Sequence, residues 1–260
     1  MEDWIKNANE FFESYVDSFT GLTSGQQENF KIKKEHSYRV AENADRLGKM
    51  INLNAEDLKA AYFSGLYHDI GRFDQLANYN SFNDNTSLDH AEHSVKVLKE
   101  KDVFNDLDSE LQELVLFAIC YHNKLQLPKK GNERELMHAR LLRDADKLDI
   151  LKVLTDYYSD KNKEPNHTLT WDLPPGGTVS QPVAKEILAG KLVSKEKVKN
   201  ETDVKIMQLS WVYDLNFKQT FEFIFQNRLF EKIYNTLPKN DLIIEIYRKV
   251  KVYAENKLLE

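Results

Sequence analysis

His68 and Asp69 stand side by side in Leu66-Tyr67-His68-Asp69-Ile70-Gly71-Arg72, an imidazole and a carboxylate set among apolar residues. Burying such groups costs free energy unless something pairs them, and a divalent metal ion can serve both. Neighbouring helical residues point about 100° apart, so the two cannot both occupy the middle of one buried face, yet both can reach an ion at a helix edge or end. Gly71 is read as supplying that end. Three more stretches offer an ionisable group at or beside an apolar stripe: His36, His122, and Asp144 or Asp146. One such histidine alone is ordinarily a satisfied core residue. Four separate stretches together favour a metal held by neutral imidazole nitrogen and carboxylate oxygen.

Helices must position these groups, because three-and-four spacing fills almost every segment and strand-like alternation is hard to find. The expected fold is all-α. Trp4, Ala8, Phe11/Phe12, Tyr15/Val16 and Phe19 mark a first helix, ended near Gly21. His36, Val40, Asn43/Ala44, Leu47 and Ile51 mark a second; Leu58, Ala61, Tyr62, Gly65, Leu66 and Asp69 mark a third, with Asn54 and Asp57 to cap its start. The polar stretch 72–87 reads as a long loop of the kind that often carries function. A helix opening at Ser87-Leu88-Asp89-His90 presents Ala91, Val95 and Leu98 inward. The next opens with a capping box of Ser109 and Gln112, and its stripe of Leu111, Val115 and Ala118 runs into His122. A turn over 129–133 precedes a long helix through Met137, Leu141, Asp144/Ala145, Leu148 and Leu151, with Asp146 one step round from that stripe. Pro165 and Pro174-Pro175-Gly176-Gly177 bound an irregular insertion around Trp171, and further helices are predicted over 183–189, 204–211, 217–236 and 242–257.

With 260 residues but only 9 Gly and 6 Pro, the chain has length for a sizeable core and too little linker composition to suggest several domains, so one domain over 1–260 is expected. A net charge of -6 argues against wrapping a nucleic-acid duplex, whose affinity comes from Lys and Arg neutralising phosphates. The longest apolar run, 114–120, is too short to span a bilayer. Cys120 is the only cysteine, so no intrachain disulfide forms, and Met1-Glu2-Asp3-Trp4 does not resemble the start of a secretory signal; a cytoplasmic location is the expectation.

The order His36, His68-Asp69 followed by Ile70-Gly71, and a later Asp within Asp144-Ala145-Asp146-Lys147-Leu148-Asp149 resembles the HD-domain superfamily of metal-dependent phosphohydrolases, over roughly residues 30–155. The resemblance implies an HD-like helical bundle as the metal-binding core, with 165–260 as a helical extension packed on it. It selects Asp146 as the last metal ligand and leaves Asp144 and Asp149 to supporting roles. Two-metal members of the superfamily carry two further histidines, which by this likeness are His90 and His122. His93, three residues on from His90, is left to orient a ligand or face solvent. If both histidines bind, the centre is binuclear, with Asp69 as the bridge. Nitrogen and oxygen ligation without cysteine admits Mn, Fe, Ni, Mg or Zn.

The implied reaction is hydrolysis of a phosphate monoester or diester by metal-activated water. Asp69, Arg72 and Lys147 are the catalytic candidates, the two cations being placed to hold non-bridging oxygens. Arg143 and Lys124 are weaker candidates for that task, and His138 reads as structural. The chain departs from some members of the superfamily: Asn123-Lys124 follows His122, and no Gly-Tyr-Pro occurs downstream, which argues against the cyclic dinucleotide phosphodiesterases of that subclass. There is also no room for the synthetase domain of bifunctional alarmone hydrolases. The expectation is therefore a stand-alone enzyme for a nucleotide or other small phosphorylated metabolite, with homodimerisation left open. A di-iron oxygenase of the same fold and a non-catalytic metal- or nucleotide-binding regulator would share these ligands.

Overall fold

The computed structural model describes residues 3–84, 86–105, 107–129, 131–160 and 173–260, and among these every regular element is helical, as the periodicity predicts. The chain divides into two compact units, 1–146 and 147–260.

In the first unit, α1 (Asp3–Asp17) buries Ala8, Phe12 and Val16 at four-residue spacing. α2 (Ser24–Met50) starts from a reciprocal cap: Gln26 N donates to Thr23 Oγ1 at 3.3 Å and Thr23 N to Gln26 Oε1 at 3.0 Å. Its buried stripe of Phe30, Ser37, Val40, Ala44 and Leu47 carries His36 inward with it. α3 (Ala55–Tyr67), capped by Asn54 Oδ1 accepting from Asp57 N at 2.9 Å, is buried at every position from Ala60 to Tyr67. α3 lies against α2 through Gly65, where a methyl group would come within 2.6 Å of Ala41 Cα. The helix that leads to His68 can approach the helix that bears His36 only because that side chain is missing.

Two expectations change beyond this point. α3 ends at Tyr67, and α4 (Ile70–Tyr79) occupies the first half of the predicted loop 72–87. Ile70, Phe73 and Leu76, three residues apart and all buried, continue a helical stripe that the polar residues between them obscure. Gly71 lies in the first turn of α4 and does not end α3. Its missing Cβ admits α5 (His90–Glu100), since a methyl there would sit 2.7 Å from Ser94 N and 2.8 Å from His90 O. Ser94 Oγ bolts the junction by accepting from Gly71 N at 2.9 Å and donating to His68 O at 2.8 Å. The chain leaves α4 through Asn80 in the left-handed region, φ 49°. α5 is capped by Asp89, which accepts from Ala91 N and Glu92 N.

α6 (Ser109–Tyr121) is capped one residue earlier than predicted, by Asp108 accepting from Leu111 N at 2.9 Å. α7 (Glu133–Ser159) begins in the first unit, where Asp57 accepts from Arg134 Nε at 2.8 Å and from His138 Nε2 at 2.9 Å.

The second unit takes the remainder of α7 and adds α8 (Gln181–Leu188), α9 (Glu201–Ser210), α10 (Lys218–Gln226), α11 (Leu229–Asn235) and α12 (Asp241–Leu259). α9 is buried from Thr202 to Ser210 and forms the middle of this unit. The single helix predicted over 217–236 is two, parted where Arg228 adopts φ 53°. α12, capped by Asn240, buries Ile243, Ile246, Val250 and Ala254. Pro165 and Trp171 of the expected insertion lie outside the described residues. Among the described residues no helix is long and apolar enough to cross a membrane.

Candidate metal centre

Six side chains meet in the first unit: His36 from α2, His68 and Asp69 from the α3–α4 junction, His90 from the start of α5, His122 from the end of α6, and Asp146 from α7. All are buried except Asp146, whose side chain is 16% exposed.

His68 and His122 are placed by one device. Each sits one residue past a helix end and turns Nδ1 back to the carbonyl three residues earlier, His68 to Gly65 O at 2.8 Å and His122 to Ile119 O at 2.7 Å. A helix leaves its last four carbonyls without partners inside the helix, and the ring satisfies one of them. A carbonyl only accepts, so Nδ1 carries the proton and Nε2 of the neutral ring is a bare lone pair. Burial lowers the pKa of both rings; for His122, where His90 and His68 push the same way, it falls well below the ordinary histidine value. Arg143 fixes the end of α6 as well, donating through Nη1 to the carbonyls of Tyr121, His122 and Lys124.

Asp69 lies in the middle, each oxygen turned to its own pair of imidazoles. Oδ2 is 3.5 Å from His68 Nε2 and 3.8 Å from His36 Nε2; Oδ1 is 3.4 Å from His90 Nε2 and 3.9 Å from His122 Nε2. Asp146 Oδ1 completes the first group, 3.2 Å from His36 Nε2 and 3.7 Å from His68 Nε2, and in the second group the Nε2 atoms of His90 and His122 face each other at 3.0 Å. Burial works to raise the pKa of Asp69, but Lys33, His68, His90 and Arg72 hold it well below the usual carboxylate range. Asp146 is held down against burial by His36, whose Nε2 is 3.2 Å from its Oδ1, and by the charges of His68 and His122.

These distances lie at, or up to about half an ångström beyond, those of a coordination sphere. Two donors each about 2.1 Å from one ion lie about 3.0 to 3.4 Å apart at right-angle or tetrahedral geometry. The chemistry agrees: His68 Nε2 is buried, makes no hydrogen bond among the described residues, and points its lone pair at carboxylate oxygens. Such an arrangement is unfavourable unless a cation lies between the groups. At His90 the donation of Nδ1 to Asp84 Oδ2 at 2.6 Å leaves Nε2 as a lone pair, which faces His122 Nε2 and accepts from Arg72 Nη2 at 3.4 Å. Burial and the charge of Arg72 lower its pKa. A carboxylate behind an imidazole in this way fixes the tautomer a metal needs.

The other expected residues have settled differently. Arg72 is buried, and its Nη1 donates to Gln75 Oε1, Phe82 O and Asp84 Oδ1, each at 2.7 Å. Lys147 is 2.7 Å from Asp214 within the second unit. Lys124 is held by Asp89 and Glu92, His93 donates to Asp74, and Asp144 and Asp149 are buried. Sequence reasoning missed Lys33, whose Nζ is 2.6 Å from Asp69 Oδ2, and Asp84 with its support Gln75. Lys33 had a signal, being three residues before His36 and thus on the same helical face.

Residues 34–151 match the family described as the HD domain. The chain carries an HD domain. Over those residues it belongs with a superfamily whose domains bind divalent metals and act in general as metal-dependent phosphohydrolases, and the clusters around Asp69 are of the kind that could hold such ions. No curated protein and no solved structure matches the chain.

Proposed function

We propose that this HD protein is a metal-dependent phosphohydrolase acting on a small phosphorylated metabolite, with nucleotides as the first class to try. The observation that supports it best is the division of Asp69, one oxygen toward His36 and His68, the other toward His90 and His122. In this reading His36, His68, Asp146 and Asp69 would hold one divalent ion, and His90, His122 and Asp69 would hold a second. Bound divalent ions supply a water of lowered pKa and positive charge that offsets the phosphate.

The chain's own residues prepare the site. The backbone bonds from His68 Nδ1 and His122 Nδ1 hold those rings with their lone pairs inward, and Asp84 keeps the proton of His90 on Nδ1. Arg72 acts through Asp84 and through Asp69, whose Oδ1 is 3.6 Å from its Nε, and so braces the centre instead of standing free as an anion hook. Lys147 would first have to leave Asp214. A net charge of -6 favours small substrates over duplex nucleic acid, and a cytoplasmic setting belongs to the same proposal.

The test is elemental analysis of protein purified without chelator, then a phosphate-release screen over monoesters and diesters with the metal found. One or two metal equivalents with phosphate release are expected. Metal without release from any ester would sink the proposal, and iron-dependent oxygen consumption in its place would point to an oxygenase.

A further inference from the structure

Arg72, Lys124 and Lys33 are among the cations close to the ligand cluster, and their partners differ. Arg72 is buried and committed to Gln75, Phe82 O and Asp84. Lys124 sits between two carboxylates, 2.6 Å from Asp89 and 2.8 Å from Glu92. Lys33 has one carboxylate partner among the described residues, Asp69 Oδ2 at 2.6 Å, the same oxygen that faces His36 and His68. Its side chain is 21% exposed against 4% for Asp69, so it reaches from the rim to a buried carboxylate. Beside it stands Phe82, half-buried, with Lys33 Nζ 5.6 Å and Arg72 Cζ 5.8 Å from the ring centroid.

One oxygen therefore has two claimants, an ammonium and whatever cation the imidazoles hold. We infer that Lys33 anchors the phosphate of the substrate, leaving Asp69 when a divalent cation takes that carboxylate. The inference rests on the phosphohydrolase reading and deepens it. Once the charge of Asp69 Oδ2 is shared with a divalent cation, the Lys33 ion pair weakens and the ammonium faces like charge. A lysine is suited to the exchange, being a point charge on a flexible four-carbon stem, where an arginine fork would be fixed in one geometry. A phosphate group supplies the counter-charge that Asp69 no longer offers, and the Phe82 face gives the displaced ammonium a cation–π contact outside the ligand cluster.

The experiment uses Lys33→Met, which keeps the stem and removes the charge, and Lys33→Arg. Calorimetric titration of chelator-stripped protein with manganese should show Lys33→Met binding the metal about tenfold more tightly than the native chain, because a competing ammonium is gone. In the manganese-loaded protein, inorganic phosphate should bind Lys33→Met about tenfold more weakly, and Lys33→Arg should recover most of that loss. Circular dichroism of the loaded variants checks that both are folded. Equal phosphate affinity in native and Lys33→Met protein overturns the anchor, and equal or weaker manganese affinity overturns the exchange. Neither measurement uses turnover. Weakened phosphate binding with no ester hydrolysed would sink the phosphohydrolase reading alone, and hydrolysis with unchanged affinities would sink the role of Lys33 alone.

Discussion

Two of the buried His–Asp pairings in the first unit, His138 with Asp57 and His68 with Asp69, would not be separated by composition and burial alone. His138 Nε2 donates to Asp57 Oδ1 at 2.9 Å, and Asp57 also accepts from Arg134 Nε at 2.8 Å. His68 Nε2 lies 3.5 Å from Asp69 Oδ2 with no hydrogen bond, because its proton is on the far nitrogen, donated to Gly65 O. In the first pairing the ring turns its N–H toward the carboxylate and the charge of Asp57 is met by Arg134. In the second it turns a lone pair toward two carboxylates. Burial marks both sites; the direction of the lone pair marks the one that calls for a cation.

The largest effect should come from removing the lone pair and the bridge together. His68→Ala with Asp69→Ala is expected to lose metal by elemental analysis, and with it hydrolysis, while circular dichroism stays near native because the surrounding helices still bury their stripes. Metal retained at native level in that double variant would sink the site. A narrower cut is His122→Ala, expected to lower the metal content by about one ion and to leave the group of His36, His68 and Asp146 loaded. An unchanged ion count would mean a mononuclear centre.

Asp57→Ala should invert the pattern. It leaves the buried His138 without its carboxylate and Arg134 with only the exposed Glu56 and Glu110, so a loss of about 2 to 3 kcal/mol in denaturant unfolding is expected, with metal content unchanged. If the metal went with Asp57, the two pairings would not be separate, and the contrast drawn here would fail.

His36, His68 and His122 could be found in the sequence because apolar stripes run directly into them. The choice of Asp146 over Asp144 could not come from periodicity, since both lie at or beside one stripe and Asp144 is fully buried; the superfamily pattern chose, as it did for His90. Asp84 left no local trace. It lies in a loop, where no period operates, and its place depends on Arg72, Gln75 and His90 meeting it from two helices. Gly71 was noticed for the wrong reason: a glycine near a helix end suggests a stop, whereas here it allows the backbone of α5 to approach. The loop expected over 72–87 shows the same limit, because Phe73 and Leu76 are helical anchors spaced within a polar string.

The smallest effect tests the proton on His138. Burial lowers its pKa despite the hydrogen bond and charge of Asp57. The ring is therefore neutral in the fold, while the unfolded chain takes up a proton near the ordinary value of about 6.5. Its contribution to stability is present in full above that value and declines as pH falls from there toward the folded pKa. Asp57 follows at lower pH. Burial works to raise its pKa, but the hydrogen bonds and charges of His138 and Arg134 bring it below its usual value, so its contribution is lost only as pH falls below about 3.9. His138→Gln keeps an N–H for Asp57 and removes the titration. In chelator-stripped protein the difference in Tm between native and variant should narrow between about pH 7.5 and pH 5, since His68, His90 and His122 titrate alike in both and cancel. A difference that stays constant over that range would show that His138 takes up its proton alike in the folded and unfolded chains, and one that widens as pH falls would show a ring already protonated in the fold.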